Sequence, residues 1–260
     1  MKLIKYREGE HPVWVYEDFI TPEECAGIIK MFNNLIESGD FSWHPISFYE
    51  SYAYNMPHQL TNNPKVLEKW YSDAGLPNNF FENLEEKFKW GAEQIIGGPA
   101  YKISFHSQKW IPGAFAGFHS DNSYDGVPSA FERSRYAGFL YLNDDFGGGE
   151  LNFKNFDLTI KPKTGMYAIF DGGHENIHEV KIVTKNDRYT VGSFWDDRPE
   201  EAYDVDKKST WEEEIKETRA KQAIEQKEWE DIRNKGKRIT PQWEEYDAEL
   251  AETGEINDRN

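Results

Sequence analysis

Residues 101–110, YKISFHSQKW, open a run of short β-like segments. It continues through AFAGFHS (114–120), YAGFLYLN (136–143), ELNF (150–153), LTIKP (158–162), MYAIF (166–170), EVKIV (179–183) and RYTVGSFW (188–195). Gly, Asp, Asn and Pro clusters punctuate these segments. Short strands rich in β-branched and aromatic residues, with a turn signal after each, predict an antiparallel sandwich or barrel. Outward from this block the pattern changes in both directions.

Before residue 101 the chain reads mostly as helix. Thr21-Pro22-Glu23-Glu24 is a helix start, with Thr21 as cap, Pro22 in the first turn and Glu24 completing a capping box. Ile28, Ile29, Phe32 and Leu35 follow at helical spacing. A second helix is expected from about Asn63 to Asp73, ended by Gly75 and Pro77. A third starts near Asn79, carries Leu84, Phe88 and Ile95 on one side, and stops at Gly97-Gly98. These helices would cover one sheet. The aromatic stretch 41–54 has no clear period; packed irregular structure and a substrate-covering loop are both open readings. After the block, 201–260 holds 18 acids against 11 bases. Thr210-Trp211-Glu212-Glu213 and Thr240-Pro241 start two polar helices separated by Gly236. The expected organisation is one domain over 1–200, with helical support in 1–100 and a β core in 101–200. An acidic helical extension follows over 201–260.

Composition limits the function. Among 260 residues, 30 are basic and 47 acidic, a net charge of −17. Phosphate neutralisation needs the opposite balance, so nucleic acid is not an expected partner. A polybasic membrane-surface role is equally disfavoured, and no apolar run approaches the ~20 residues of a membrane span. Aromatics make up 15 % of the chain, more than a disordered composition carries. The single cysteine fits a reducing compartment, so a cytoplasmic protein is expected.

Two histidine constellations carry chemistry. In His119-Ser120-Asp121 the outer residues share one face of an extended strand and can offer a nitrogen and an oxygen to one metal ion. Solvated side chains at a strand end would look the same. His174-Glu175-Asn176-Ile177-His178 matches the letters of a zinc-protease helix motif. That motif needs a helix, whereas FDGG precedes it and EVKIV follows. Joined to His119 and Asp121, one of these two histidines completes a set of two histidines and one carboxylate. Such a facial triad leaves metal positions open and suits non-haem Fe(II) oxygenases. Arg188 lies ten residues after His178. Pointing inward it would need an anion, and its fork suits a dicarboxylate; pointing outward it is an ordinary surface arginine.

The order HSD (119–121), YLNDDFGGGELNF (141–153), HEVKIVTKNDRYTVGSFW (178–195) resembles the prolyl 4-hydroxylase-like family of Fe(II)/2-oxoglutarate dioxygenases. TPEEC (21–25) is similar to that family's leading helix. The resemblance implies an α+β fold, with a double-stranded β-helix (jelly roll) under N-terminal helices. It implies His119, Asp121 and His178 as Fe(II) ligands, with His174 off the spacing. It implies Arg188 on the distal carboxylate of 2-oxoglutarate and Tyr141 either on that carboxylate or in the core. Gly147-Gly148-Gly149 matches a family turn. Trp110 stands where the family often has Tyr, and Gly192 where some members have Thr. Implied partners are a proline-containing peptide or protein, with small molecules still open, and ascorbate as an accessory reductant. The segment 122–135 is either a lid or a plain loop. Rival readings are a zinc hydrolase through His174, Glu175 and His178, and an inactive jelly-roll binding module.

Overall fold

The computed structural model describes residues 1–46, 49–122 and 133–199. The extension expected over 201–260 lies outside the described residues, as does most of the segment 122–135.

Fourteen strands and three α-helices follow one another along the described chain. Strands β1 (Lys2–Arg7) and β2 (Val13–Glu17) form a hairpin ahead of α1 (Pro22–Ser38). Then come β3 (His44–Ile46), β4 (Tyr49–Tyr54), α2 (Pro64–Ala74) and α3 (Phe80–Ile96). The β block holds β5 (Tyr101–Trp110), β6 (Ala116–His119), β7 (Tyr136–Tyr141), β8 (Gly147–Gly148), β9 (Leu151–Phe153) and β10 (Leu158–Ile160). It ends with β11 (Tyr167–Asp171), β12 (His178–Val180), β13 (Val183–Lys185) and β14 (Arg188–Asp196).

All three helices lie where capping and period predict them. In α1 both capping-box bonds form, Glu24 N–H to Thr21 Oγ1 at 3.2 Å and Thr21 N–H to Glu24 Oε2 at 2.8 Å.

The strands build two facing antiparallel sheets, the jelly-roll arrangement. The large sheet runs β1-β2-β11-β7-β14-β5-β4-β3, the small one β10-β9-β12-β6, and β13-β8 is a separate ribbon. Alternation along β11 shows how the layers pack. Tyr167 and Ile169 join Phe19, Ile28, Phe32 and Phe88 in a core between the helices and the large sheet. Ala168 and Phe170 face the other way and pack with Val15, Leu151, Phe153 and Ile160 between the sheets. A strand buried on both faces reads as the continuous apolar run MYAIF. Closing one such side chain off from water contributes ~1.5–3 kcal/mol.

Two expectations need correction. The N-terminal region is not mostly helical, because β1 and β2 extend one end of the large sheet. The partner of β2 beyond the hairpin is distant: Tyr16 pairs with Tyr167 and Val13 with Phe170. Pairing of that range leaves no local period to read. Within the stretch 41–54, 44–46 and 49–54 are not irregular either, since β3 and β4 extend the other end, Ser51 opposing Trp110. Pro45 sits in β3, the outermost strand, where a missing N–H interrupts no ladder.

Candidate active site

Strands β6 and β12 are neighbours in the small sheet, with His119 directly opposite His178. Their rings lie 4.5 Å apart. Asp121, two residues beyond His119, turns its carboxylate onto both rings. Oδ1 is 3.6 Å from His119 Nε2 and Oδ2 is 3.4 Å from His178 Nε2. One donor atom from each of the three residues lies within 4.8 Å of the others.

The second ring nitrogens fix the tautomers. His119 Nδ1 is 2.7 Å from Gly117 O, and His178 Nδ1 is 2.9 Å from Asn176 O. A carbonyl only accepts, so each Nδ1 carries the proton and each Nε2 presents a lone pair toward Asp121. That is how metal-binding histidines are oriented. Burial drives the His178 imidazolium down to about pKa 4, against the attraction of Asp121. For His119 burial works the same way, but in the protonated ring Nε2–H donates to Asp121, and that bond with the carboxylate charge prevails and raises it. Burial would raise the Asp121 carboxyl, yet His178 and His119 hold it below the usual value. Two imidazole lone pairs and one ionised carboxylate suit a divalent iron site. Asp121 Oδ2 accepts no hydrogen bond among the described residues, which leaves a buried donor atom for a metal.

The loop between β11 and β12 holds the set in place. Asp121 N–H donates to Gly172 O at 2.9 Å. A Cβ on Gly172 would lie 2.8 Å from Ser134 O and 3.0 Å from Asp121 Cβ, so only glycine lets the loop approach this closely.

Between the sheets a cleft of about 500 Å³ runs from the triad to Arg188. Inward-facing residues of β5, β7 and β14 line the large-sheet side, among them His106, Gln108, Trp110, Tyr141 and Phe194. Arg188 is 2 % exposed, so it points inward. Its guanidinium lies 5.0 Å from the ring centres of both Trp110 and Tyr141. Burial lowers its pKa, the Tyr141 contact working against that shift. Arg188 Nε and Nη1 and Tyr141 Oη have no hydrogen-bond partner among the described residues. Unpartnered buried donors and an unpaired charge call for an anion, and a carboxylate supplies one in bidentate form. Gly149, at φ +68°, belongs to this end: a Cβ there would lie 2.9 Å from Arg188 Cδ.

His174 does not join the triad. It occupies a single 3-10 turn, His174–Asn176, and His178 then begins a strand. The shared helix face needed for zinc-protease chemistry does not form, and among the described residues the metal-capable group is His119, Asp121 and His178.

Residues 105–196 match the sequence model of the 2OG-Fe(II) oxygenase superfamily. Human prolyl 3-hydroxylase 2 is 45 % identical over 73 residues, which are 26 % of this chain and 10 % of that protein. Residues 105–196 are thus similar to 2OG-Fe(II) oxygenases, with a prolyl 3-hydroxylase among the relatives. The 2-oxoglutarate and iron-dependent oxygenase domain-containing protein 3 of Xenopus tropicalis is 38 % identical over 72 residues, 26 % of this chain and 23 % of that protein. The matched region is thus about a tenth of the length of the prolyl 3-hydroxylase and about a quarter of the second relative. Among solved structures, a Pseudomonas putida prolyl-4-hydroxylase superposes at TM-score 0.52 and 17 % identity, over 73 % of this chain and 95 % of that one. A Trichoplax adhaerens prolyl hydroxylase, in complex with a hypoxia inducible factor oxygen degradation domain peptide fragment, gives 0.50 and 16 % over 71 % and 83 %. At these identities the superpositions speak for the fold alone, a jelly roll.

The roles of His106, Gly172 and Asn176 escaped the sequence reading, in which Trp110 and Gly192 stood only as departures from the family pattern. His106 points into the cleft, its ring stacked on Phe194 at 5.3 Å and 10°. Burial pushes its pKa down to about 4, against the pull of Asp121. Gly192 opposes it across the sheet, and a Cβ there would lie 3.1 Å from His106 Nε2. The glycine at that position is therefore what admits the imidazole. Trp110 pairs with Arg188 across the sheet and lays its ring against the guanidinium, a role that needs no hydroxyl. Gly172 and Asn176 carry no local motif that sets them apart.

Proposed function

We propose that the protein is an Fe(II)- and 2-oxoglutarate-dependent dioxygenase that hydroxylates a C–H bond of a prolyl residue in a peptide or protein. Succinate and CO₂ would be released. The observation that carries this reading is the pairing of two unmatched demands in one cleft. The triad presents lone pairs and a carboxylate at one end, and Arg188 is buried without an anion at the other. A dicarboxylate answers both at once.

His119, Asp121 and His178 would hold Fe(II), and Arg188 with Tyr141 would bind the distal carboxylate of 2-oxoglutarate. When bound, iron and 2-oxoglutarate would activate O₂, one oxygen atom entering succinate and the other the hydroxyl on the substrate carbon. This chain's residues position and insulate them. Gly117 O and Asn176 O hold the Nδ1 protons, so each ring would turn Nε2 to the metal. Asp121 brings one negative charge. Phe139, Leu151, Val180 and Phe194 make the cleft wall largely apolar and exclude water. The prolyl substrate rests on the names of the relatives, and ascorbate would serve as accessory reductant. Cys25, buried and free, fits a reducing compartment such as the cytoplasm.

The test needs no substrate. Fe(II) and then 2-oxoglutarate are added to the metal-free protein under nitrogen, and the visible charge-transfer band is followed. The band should form with wild type and vanish with His178→Ala and Asp121→Ala. Tight zinc and no band in wild type would end this reading. Succinate formation driven by proline-containing peptides then tests the substrate.

A further inference from the structure

We propose that Arg7, in the N-terminal hairpin, is a positioning residue of the metal centre. It acts through Asn176, whose main-chain carbonyl holds the His178 ring. This rests on the reading of His178 as a metal ligand given above.

The argument starts at Asn176, which is fully buried. Its amide is used at both ends: Nδ2 donates to Asp171 O at 2.8 Å, and Oδ1 accepts from Arg7 Nη1 at 3.2 Å. A guanidinium can only donate and a carbonyl can only accept, so the flipped amide would meet two repulsions. Arg7 therefore selects one orientation of the Asn176 side chain. The Arg7 guanidinium is itself placed, 5.0 Å from the ring centre of Phe156, with a second contact of 3.5 Å from Nη1 to Glu175 O.

The same hairpin pins the start of the loop. Asp171 N–H donates to Pro12 O at 3.1 Å, and the Asp171 carboxylate lies 2.7 Å from His11 Nδ1. Asp171 Oδ1 in turn accepts from Gly173 N–H at 2.9 Å. Thus the loop between β11 and β12 is anchored at Asp171 by the hairpin turn and at Asn176 by Arg7. Between and at those anchors it offers two carbonyls to the site. Gly172 O receives Asp121 N–H, and Asn176 O receives His178 Nδ1–H. Two of the three candidate ligands are oriented from one loop, and that loop is held by a hairpin outside the 105–196 oxygenase match.

Groups that orient a ligand histidine typically change metal affinity 10–100-fold when removed. Arg7 is one link further out, so the lower end applies. Fe(II) affinity of the full chain is measured by calorimetry under nitrogen, beside thermal unfolding of the metal-free protein. Arg7→Ala should bind Fe(II) about tenfold more weakly, and Arg7→Lys, which keeps a cationic donor, should recover most of that loss. In an Asn176→Ala background, Arg7→Ala should add less than a twofold further loss. Arg7→Ala binding within twofold of wild type would overturn the proposal. So would a full tenfold effect that persists without the Asn176 amide, since Arg7 would then act by another route. If Asn176→Ala does not fold, the Arg7→Ala and Arg7→Lys comparison decides alone. A wild-type chain that takes up no Fe(II) brings down the proposed function and this inference with it. Normal wild-type binding with an unchanged Arg7→Ala sinks only the inference.

Discussion

Replacing Arg188 with methionine should move stability and cosubstrate binding in opposite directions. The side chain is 2 % exposed, and its Nε and Nη1 donate to nothing among the described residues. Desolvating an ion costs several kcal/mol. Two ring faces, Trp110 and Tyr141 at 5.0 Å, return up to ~2 kcal/mol each. Methionine has similar length and no charge to desolvate, and it keeps contact with both rings. The metal-free protein should gain about 1–2 kcal/mol, within the range seen when buried charges give way to packed apolar groups. For a domain of this size that raises Tm by roughly 2–8 °C. Binding should go the other way. Losing one partner of a buried charge pair costs ~3–5 kcal/mol, which is roughly 10² to 5 × 10³ in the dissociation constant of 2-oxoglutarate. Thermal unfolding and the anaerobic charge-transfer titration read the two quantities separately. A lower Tm with an unchanged 2-oxoglutarate constant would refute the reasoning, because Arg188 would then be a structural residue with a partner of its own.

Other expectations follow from burial and close approach. His106→Gln should flatten the acid limb of the stability curve. The folded imidazole titrates at about 4 and the unfolded one near 6.5, so only the unfolded chain gains a proton between them and wild type loses up to ~3 kcal/mol as pH falls through that window. Denaturant unfolding at pH 7 and pH 4 checks it; equal losses in both proteins would contradict the assignment. Gly172→Ala places a Cβ 2.8 Å from Ser134 O and 3.0 Å from Asp121 Cβ, so the loop must shift. Fe(II) binding should weaken at least about tenfold, the size of a lost ligand-orienting contact, and unfolding should cost ~1–3 kcal/mol. Phe88→Ala removes a ring 4.9 Å from Tyr167 and 5.7 Å from Phe19 and should destabilise by ~3–5 kcal/mol, read by denaturant midpoint, with the Fe(II) constant of the folded protein unchanged.

The parts of this protein that were legible in sequence are those whose cause is local. Capping chemistry around Thr21 and Glu24 marks a helix start within four residues. Most strands after Tyr101 declare themselves because turn residues bracket them; β8 does not, since its Gly147 and Gly148 read as a turn, and EVKIV reads as one strand where the structure has β12 and β13. His119 and Asp121 are visible as a pair because a strand returns to the same face every second residue. What stayed hidden has distant causes. β2 is a strand because β11, some 150 residues on, offers it an edge, and β1 pairs on β2 in turn. The role of Asn176 depends on Arg7, far away in sequence. That division follows function closely. A metal set can be specified by residue types at fixed spacing, so it leaves a motif. The orientation of those ligands is delegated to main-chain carbonyls, Gly117 O, Gly172 O and Asn176 O. Any residue type can offer a carbonyl, so the contact itself writes no motif. Only its geometric side conditions do: a glycine where the loop must come close at 172, and a buried amide with a cation to hold it at 176. Those two positions are therefore where this chain's sequence should tolerate change least, outside the triad and the Arg188 pocket.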